Sequence, residues 1–289
     1  MASLEDKIAW LVGERTVRVE AVAGGDINDG FAITLASGRR LFVKTHRSPL
    51  PEIFLREAEG LAWLAEANAL RVPEVVAASD SDARGPACLV LEYIASGAPG
   101  ASYDETLGRG LATLHRFGAP AFGHERANYL ATLPQDNTTG ADWPSFYAER
   151  RISPLTERAV ARGLLPTSVA ARLQRLCAQM NELTGDLEPP ARLHGDLWGG
   201  NALAAASGEP VIFDPAVYGG HREIDLAMMR LFGGFSRRVF DAYRESYPLA
   251  PGHEDRVALY QLYPLLAHVN LFGGGYVSQL NRALSVYDA

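Results

Sequence analysis

The chain has 289 residues, 47% apolar and 21% charged. This is the composition of a folded protein with apolar surface for one large or two medium cores, which excludes a disordered chain. Lys plus Arg number 27 against 34 Asp plus Glu, a formal net charge of −7, so no overall field draws the chain to nucleic acid or an anionic membrane. Two cysteines, Cys88 and Cys177, exclude a disulfide framework and lack zinc-site spacing. With an acidic N-terminus and no apolar run of spanning length, they lead us to expect a cytoplasmic protein.

A short amphipathic helix opens the chain. Thr16–Val22 alternates like a half-buried strand and runs into a glycine-bearing turn over 24–30; Phe31–Leu35, a Ser37–Gly38 turn and Leu41–Lys44 follow, giving three antiparallel strands. From Glu52 to Ala69, the residues Phe54, Ala58, Leu61, Ala62, Leu64 and Ala65 recur at helical spacing, and Val72-Pro73 closes the helix. Val75–Ala78 and Ala87–Ile94 complete a small sheet, and Ala95–Gly100 reads as a linker. Beyond it helices dominate: Leu107, Leu111 and Leu114 share a face, and further helices are expected at 142–162 and 166–183, with a loop over 118–141 between. The reading is α+β, with a sheet-bearing unit at 1–93 and a larger, mainly helical one at 94–289.

Chemistry concentrates between 193 and 216. If 201–205 and 210–214 are hairpin arms, Asn201 begins one arm and Asp214 ends the other, so a carboxamide and a carboxylate converge at the open end. Both offer the hard oxygens that Mg²⁺ takes beside phosphate. Asp196, five residues before Asn201, is in reach of a substrate hydroxyl. The order Asp196, Asn201, Asp214 is the layout of kinase catalytic and metal loops. The first unit supplies the complement: Gly24, Gly25 and Asp26 in a turn able to cradle phosphates, Lys44 on the third strand, and Glu57 on the next helix to pair with it. Glu59 is a rival on the same helix. Glu92 and Tyr93, ending the last strand, would flank adenine at a hinge.

The chain resembles the fructosamine/ketosamine-3-kinases, relatives of the aminoglycoside phosphotransferases within the protein-kinase-like fold, over nearly its whole length. The residues carrying the resemblance are Gly24-Gly-Asp-Ile-Asn28, Phe42-Val-Lys44, Glu57, Leu133-Pro-Gln135 with Asn137, His194-Gly-Asp-Leu-Trp198 with Asn201, Phe213-Asp-Pro-Ala216, Tyr218-Gly-Gly-His221 with Glu223-Ile-Asp225, Phe232-Gly-Gly-Phe235, and Tyr260-Gln-Leu-Tyr263 with Asn270. It implies a two-lobed fold with ATP and Mg²⁺ between the lobes, and phosphorylation of the sugar 3-hydroxyl of fructosamine or ribulosamine adducts, a step that reverses glycation of small amines or protein side chains. Asp196 would be catalytic, Asn201 and Asp214 would hold Mg²⁺, and Lys44 fixed by Glu57 would bind the α/β-phosphates. His194 and Asp225 would support the loop, Asp225 through backbone N–H groups, and Trp198 and His221 would either line the acceptor site or pack. The chain departs from the family in having Asp26 where many members carry a redox-active cysteine. It departs again at Pro264, Ala267 and Val269, where a more polar and aromatic run is expected. Two other readings stand beside this one: another small-molecule kinase of the aminoglycoside or choline type, and a nucleotide-binding protein without catalysis.

Overall fold

The computed structural model describes residues 3–22 and 28–288. It divides into two compact units: 1–103 with 202–215, and 104–201 with 216–289. The chain therefore enters the first unit twice.

In the first stretch, α1 (Leu4–Val12) begins at a reciprocal cap between Ser3 and Asp6 and ends at Gly13, whose φ of 71° suits glycine. Strands β1 (Thr16–Val22), β2 (Asp29–Leu35) and β3 (Arg40–Thr45) follow, then α2 (Ile53–Ala65), β4 (Val75–Ser79) and β5 (Cys88–Glu92). The five strands form one antiparallel sheet in the order β1-β2-β3-β5-β4. Alternation turns Ile33, Leu35, Leu41, Val43, Cys88 and Val90 into a core that Ile8 of α1 completes. β3 is thus central, and Lys44 near its end lies opposite Gly30 on one side and Leu89 on the other.

The second unit starts with α3 (Tyr103–Phe117), which buries Leu107, Leu111 and Leu114. The span expected to be a loop instead holds a small hairpin, β6 (Asn128–Leu130) paired with β7 (Leu133–Gln135). The helix expected at 142–162 is present as α4 (Trp143–Tyr147) and α5 (Ser153–Ala161) joined through a π-helical turn, Ala148–Ile152. That turn carries Arg151 into the interior, where it is fully buried. α6 (Thr167–Ala178), α7 (Met180–Leu183) and β8 (Ala191–Leu193) complete this stretch.

At 202 the chain returns to the first unit as a hairpin of β9 (Ala202–Ala204) and β10 (Pro210–Ile212). The reason is backbone pairing. Gly97 N–H donates to Ala204 O at 2.8 Å, Ala206 N–H to Ala95 O at 2.7 Å and Ile212 N–H to Arg71 O at 3.0 Å. Ala95–Gly100, which reads as a linker in sequence, is therefore the seat of this hairpin. The arms are also shorter than expected, so Asn201 and Asp214 both lie just outside the ladder.

The rest belongs to the second unit: β11 (Tyr218–Gly220) pairs antiparallel with β8, and α8 (Glu223–Phe232), α9 (Arg237–Ser246), α10 (Val257–Phe272) and α11 (Val277–Leu284) follow. Trp143, Tyr147, Tyr218 and Tyr260 anchor a large core with the apolar faces of α5, α6 and α10. Among the described residues, no helix is long and apolar enough to cross a membrane.

Candidate active site

Lys44 is 6% exposed, and a buried ammonium requires partners. Its Nζ lies 2.8 Å from Glu57 Oε1 and 2.9 Å from Asp214 Oδ1. Three distant stretches of sequence thus meet at one charge: the central strand, the first helix after it, and the residue that follows the returning hairpin. Glu59, the rival to Glu57, pairs with Arg56 at 2.7 Å. Burial works against the Lys44 charge, but Asp214 and Glu57 outweigh it and hold the ammonium firmly protonated. Burial raises the Glu57 carboxyl and Asp214 adds to the rise, while Lys44 opposes it. One cation between two carboxylates leaves the cluster with an excess negative charge. Asp214 is also conformationally special, with φ at 57° in the left-handed region and a side chain 38% exposed.

In the second unit the loop after β8 is organised around Asp225, which is fully buried on α8. It accepts hydrogen bonds from the backbone N–H groups of His194 at 2.8 Å and Gly195 at 2.9 Å. His115 Nε2 stands 3.1 Å from the same carboxylate, and Tyr243 Oη lies 2.8 Å from His115 Nδ1. Burial alone would raise the Asp225 carboxyl; the bonds from His115 and Gly195 reverse this and hold it below its ordinary value. Gly195 has φ at 83°, and a Cβ there would stand 2.1 Å from Ala216 O, so no other residue fits without moving backbone. The Asp196 N–H donates to His194 Nδ1 at 3.3 Å, and Asn201 Nδ2 donates to both Asp196 O at 2.8 Å and Asp196 Oδ2 at 3.1 Å. Asp196 and Asn201 are therefore brought together, with His194 and Asp225 behind them.

Glu92, at the end of β5, accepts from Glu74 N–H at 3.2 Å and pairs with Arg71 at 3.2 Å. Arg40 lies 3.8 Å over the ring of Tyr93. Trp198 is 40% exposed and meets Phe232 edge-on. His221 is placed otherwise than an acceptor-lining residue: it is 2% exposed and stacked on Tyr260 at 5.2 Å. Burial pushes its imidazole down to about 4, against the pull of Glu188. Of the two roles the sequence leaves open for His221, this burial favours packing. Gly24, Gly25 and Asp26 lie outside the described residues.

Two features escaped sequence reasoning. His115 looks like one more polar residue near a helix end, and only the tertiary fold sets it against Asp225. The second is an amide network in which Gln135 donates to Asn128 and to Ala216 O, Asn128 donates to Val217 O, and Arg151 reaches Asn137 at 2.6 Å. It holds the backbone just after Asp214-Pro215. Gln135 and Asn137 were visible as motif residues, but Arg151 had no signal because a π-turn breaks the helical spacing.

A carboxylate and a carboxamide, Asp214 and Asn201, are hard oxygen donors of the kind Mg²⁺ accepts while keeping phosphate and water ligands. No group of three His, Cys, Asp or Glu suited to a metal occurs among the described residues.

A fructosamine kinase family model matches residues 5–287. A Synechocystis protein named as a ketoamine kinase is 38% identical, covering 91% of this chain and 88% of its own. A chloroplastic protein-ribulosamine 3-kinase of Arabidopsis thaliana is 36% identical over 99% of this chain and 88% of its own. A solved Thermobifida fusca structure described as a fructosamine-3-kinase superposes with a TM-score of 0.90 at 38% identity, covering 98% of this chain and 97% of that one. A spectinomycin phosphotransferase at 11% identity and a TM-score of 0.59, covering 98% and 92%, shares the fold alone, which is protein-kinase-like. Buried lysine, paired carboxylates and amide-held loop thus stand within a matching sequence from end to end, and the chain belongs to the fructosamine kinase family, phosphotransferases whose acceptor is a hydroxyl group.

Proposed function

We propose that the protein transfers the γ-phosphoryl group of ATP to the sugar 3-hydroxyl of ketosamines, either fructosamine or ribulosamine adducts of small amines or of protein side chains. The observation that carries this is Lys44, a buried cation fixed by Glu57 and Asp214. An ammonium held at one point is suited to the α/β-phosphates, and the left-handed, partly exposed Asp214 is the carboxylate that would exchange Lys44 for a metal. Phosphoryl transfer needs positioning and charge neutralisation more than covalent chemistry.

In this reading Asp196 accepts the proton of the acceptor hydroxyl. Asn201 Nδ2, donating to its Oδ2, fixes which carboxylate oxygen faces outward. Asp225 keeps the loop backbone in place, and His194 Nδ1, taking the Asp196 N–H, fixes the local turn. Asn201 and Asp214 are the proposed oxygen donors to Mg²⁺, which when bound offsets charge on the transferred group. Glu92 and Tyr93 are the proposed adenine-side residues, and Gly24, Gly25 and Asp26 the proposed phosphate-side ones; the first unit, which takes in 202–215 as well as 1–103, would handle the nucleotide and the second the acceptor. A phosphate on the 3-oxygen destabilises the adduct, so the consequence is deglycation.

The test is Mg²⁺-dependent ADP release with ketosyl-amines set beside aminoglycosides and choline, using Asp196→Asn as the blank. Release stimulated by ketosyl-amines alone is the expected result. Stimulation by choline or an aminoglycoside instead would reassign the acceptor, and ATP binding with silence across the panel would remove the catalytic reading.

A further inference from the structure

Beside the Asp196 loop, and wholly within the second unit, aromatic rings run on from one another toward solvent. Trp198 meets Phe232 edge-on at 6.5 Å, Phe232 lies 4.4 Å from His268, and His268 is 4.9 Å from Tyr276 and 5.4 Å from Phe272. Helical geometry explains the second half: His268 and Phe272 stand one turn apart on α10. Burial usually hides such rings, yet Trp198 is 40% and Phe272 51% exposed. Phe232, His268 and Tyr276 are half-buried, so the strip is exposed at Trp198 and Phe272 and backed by packed rings, and a contiguous aromatic surface marks a binding site more often than a single exposed ring does.

The glycines beside it point the same way. Trp198 lies across Gly200, where a Cβ would come within 2.3 Å of the indole. At Gly274 and Gly275 the φ angles are ordinary and a Cβ would meet nothing within 4 Å. The fold does not require glycine at either position, and glycine destabilises the helical turn Gly274–Tyr276 relative to alanine. Their effect is to keep space open next to Phe272 and Tyr276. The strip is also uncharged. No acid occurs over 231–236 or 264–276, and His268 donates Nδ1–H to Pro264 O at 2.8 Å while burial lowers its pKa.

We propose that this strip is the subsite for the amine half of the acceptor, and that it selects ketosamines whose amine carries an aromatic ring over those with small or aliphatic cationic amines. The proposal rests on the ketosamine-kinase reading above. In a ketosamine the nitrogen is three bonds from the carbon bearing the 3-hydroxyl, so with the sugar at Asp196 the amine substituent would be within reach of Trp198, two residues along the chain. A phenyl group there finds ring edges and faces to stack on and open room over the glycines. An aliphatic ammonium finds no carboxylate from the 231–236 and 264–276 segments to replace its lost hydration.

The experiment compares kcat/KM for fructose adducts of methylamine, lysine and 2-phenylethylamine in the unaltered protein, in Phe272→Ala and in Gly275→Leu. The expected result is a preference of about tenfold or more for the phenylethyl over the methyl adduct, collapsing toward unity in both variants. The ratio is taken within each variant, so partial misfolding does not mimic the effect. Equal turnover of the three adducts, a preference for the lysine adduct, or a ratio unchanged in both variants would overturn the proposal while leaving the kinase reading intact. Turnover of no ketosamine by the unaltered protein would overturn both.

Discussion

The two units fix their key groups by different physics. Around Lys44 the first unit uses side chains against side chains: one ammonium and two carboxylates. Around Asp225 the second unit uses a side chain against backbone, with two N–H groups held by one buried carboxylate and a glycine that fits only without a Cβ. The first arrangement can exchange partners when a charged ligand arrives, because each bond is a separate ion pair. The second resists exchange, because moving it would orphan buried backbone donors. On the proposed function, nucleotide handling would use the former, and presentation of Asp196 as a base would use the latter.

The sharpest break of this comparison is Asp196→Asn, a near-isosteric change that removes the proposed base. Turnover should fall by about 10³-fold or more, with nucleotide affinity retained when measured by calorimetry. Lys44→Met comes next. It leaves Glu57 and Asp214 facing one another without the cation, so turnover should fall by about 10²-fold and the denaturant midpoint should drop by the equivalent of about 3 kcal/mol. Added Mg²⁺ should recover part of that stability, which a purely steric defect would not allow. Gly195→Ala tests the rigid side: strain at positive φ plus the clash with Ala216 O should cost about 2–3 kcal/mol and lower kcat without changing KM for ATP.

The last expected effect concerns pH and is confined to acid conditions. His221 has a folded pKa of about 4, below the unfolded value of about 6.5. The unfolded chain therefore takes up the proton first as pH falls. The stability in question is fully present above about 6.5 and is lost between there and about 4, a total of about 3 kcal/mol. Urea midpoints across that window should be flatter for His221→Gln than for the unaltered protein.

Legibility in the sequence followed the range of the interaction concerned. The strands β1 to β3 were visible from alternation, and the spacing of Asp196, Asn201 and Asp214 pointed to phosphoryl transfer before any coordinates. The 128–135 hairpin was not visible, because arms of three residues carry too little alternation to stand out from a loop. Arg151 was hidden by a π-turn that shifts spacing off the helical period. For His221 the sequence leaves two roles open, lining the acceptor site or packing, because nothing local marks a histidine that stacks on Tyr260. Ala95–Gly100 has linker composition, yet its backbone pairs with a segment more than a hundred residues away.

That last feature bears on how the protein is made. The first unit cannot finish folding when its first 103 residues have emerged from the ribosome, since it still lacks 202–215. Until then Lys44 is missing one of its two carboxylates, and the seat for the hairpin at 95–100 is bare backbone. The second unit's early helices are synthesised during that wait. A nascent chain of this kind is open to misassembly for the time taken to translate the intervening hundred residues, so ribosome speed between codons 104 and 215 becomes a variable in its yield.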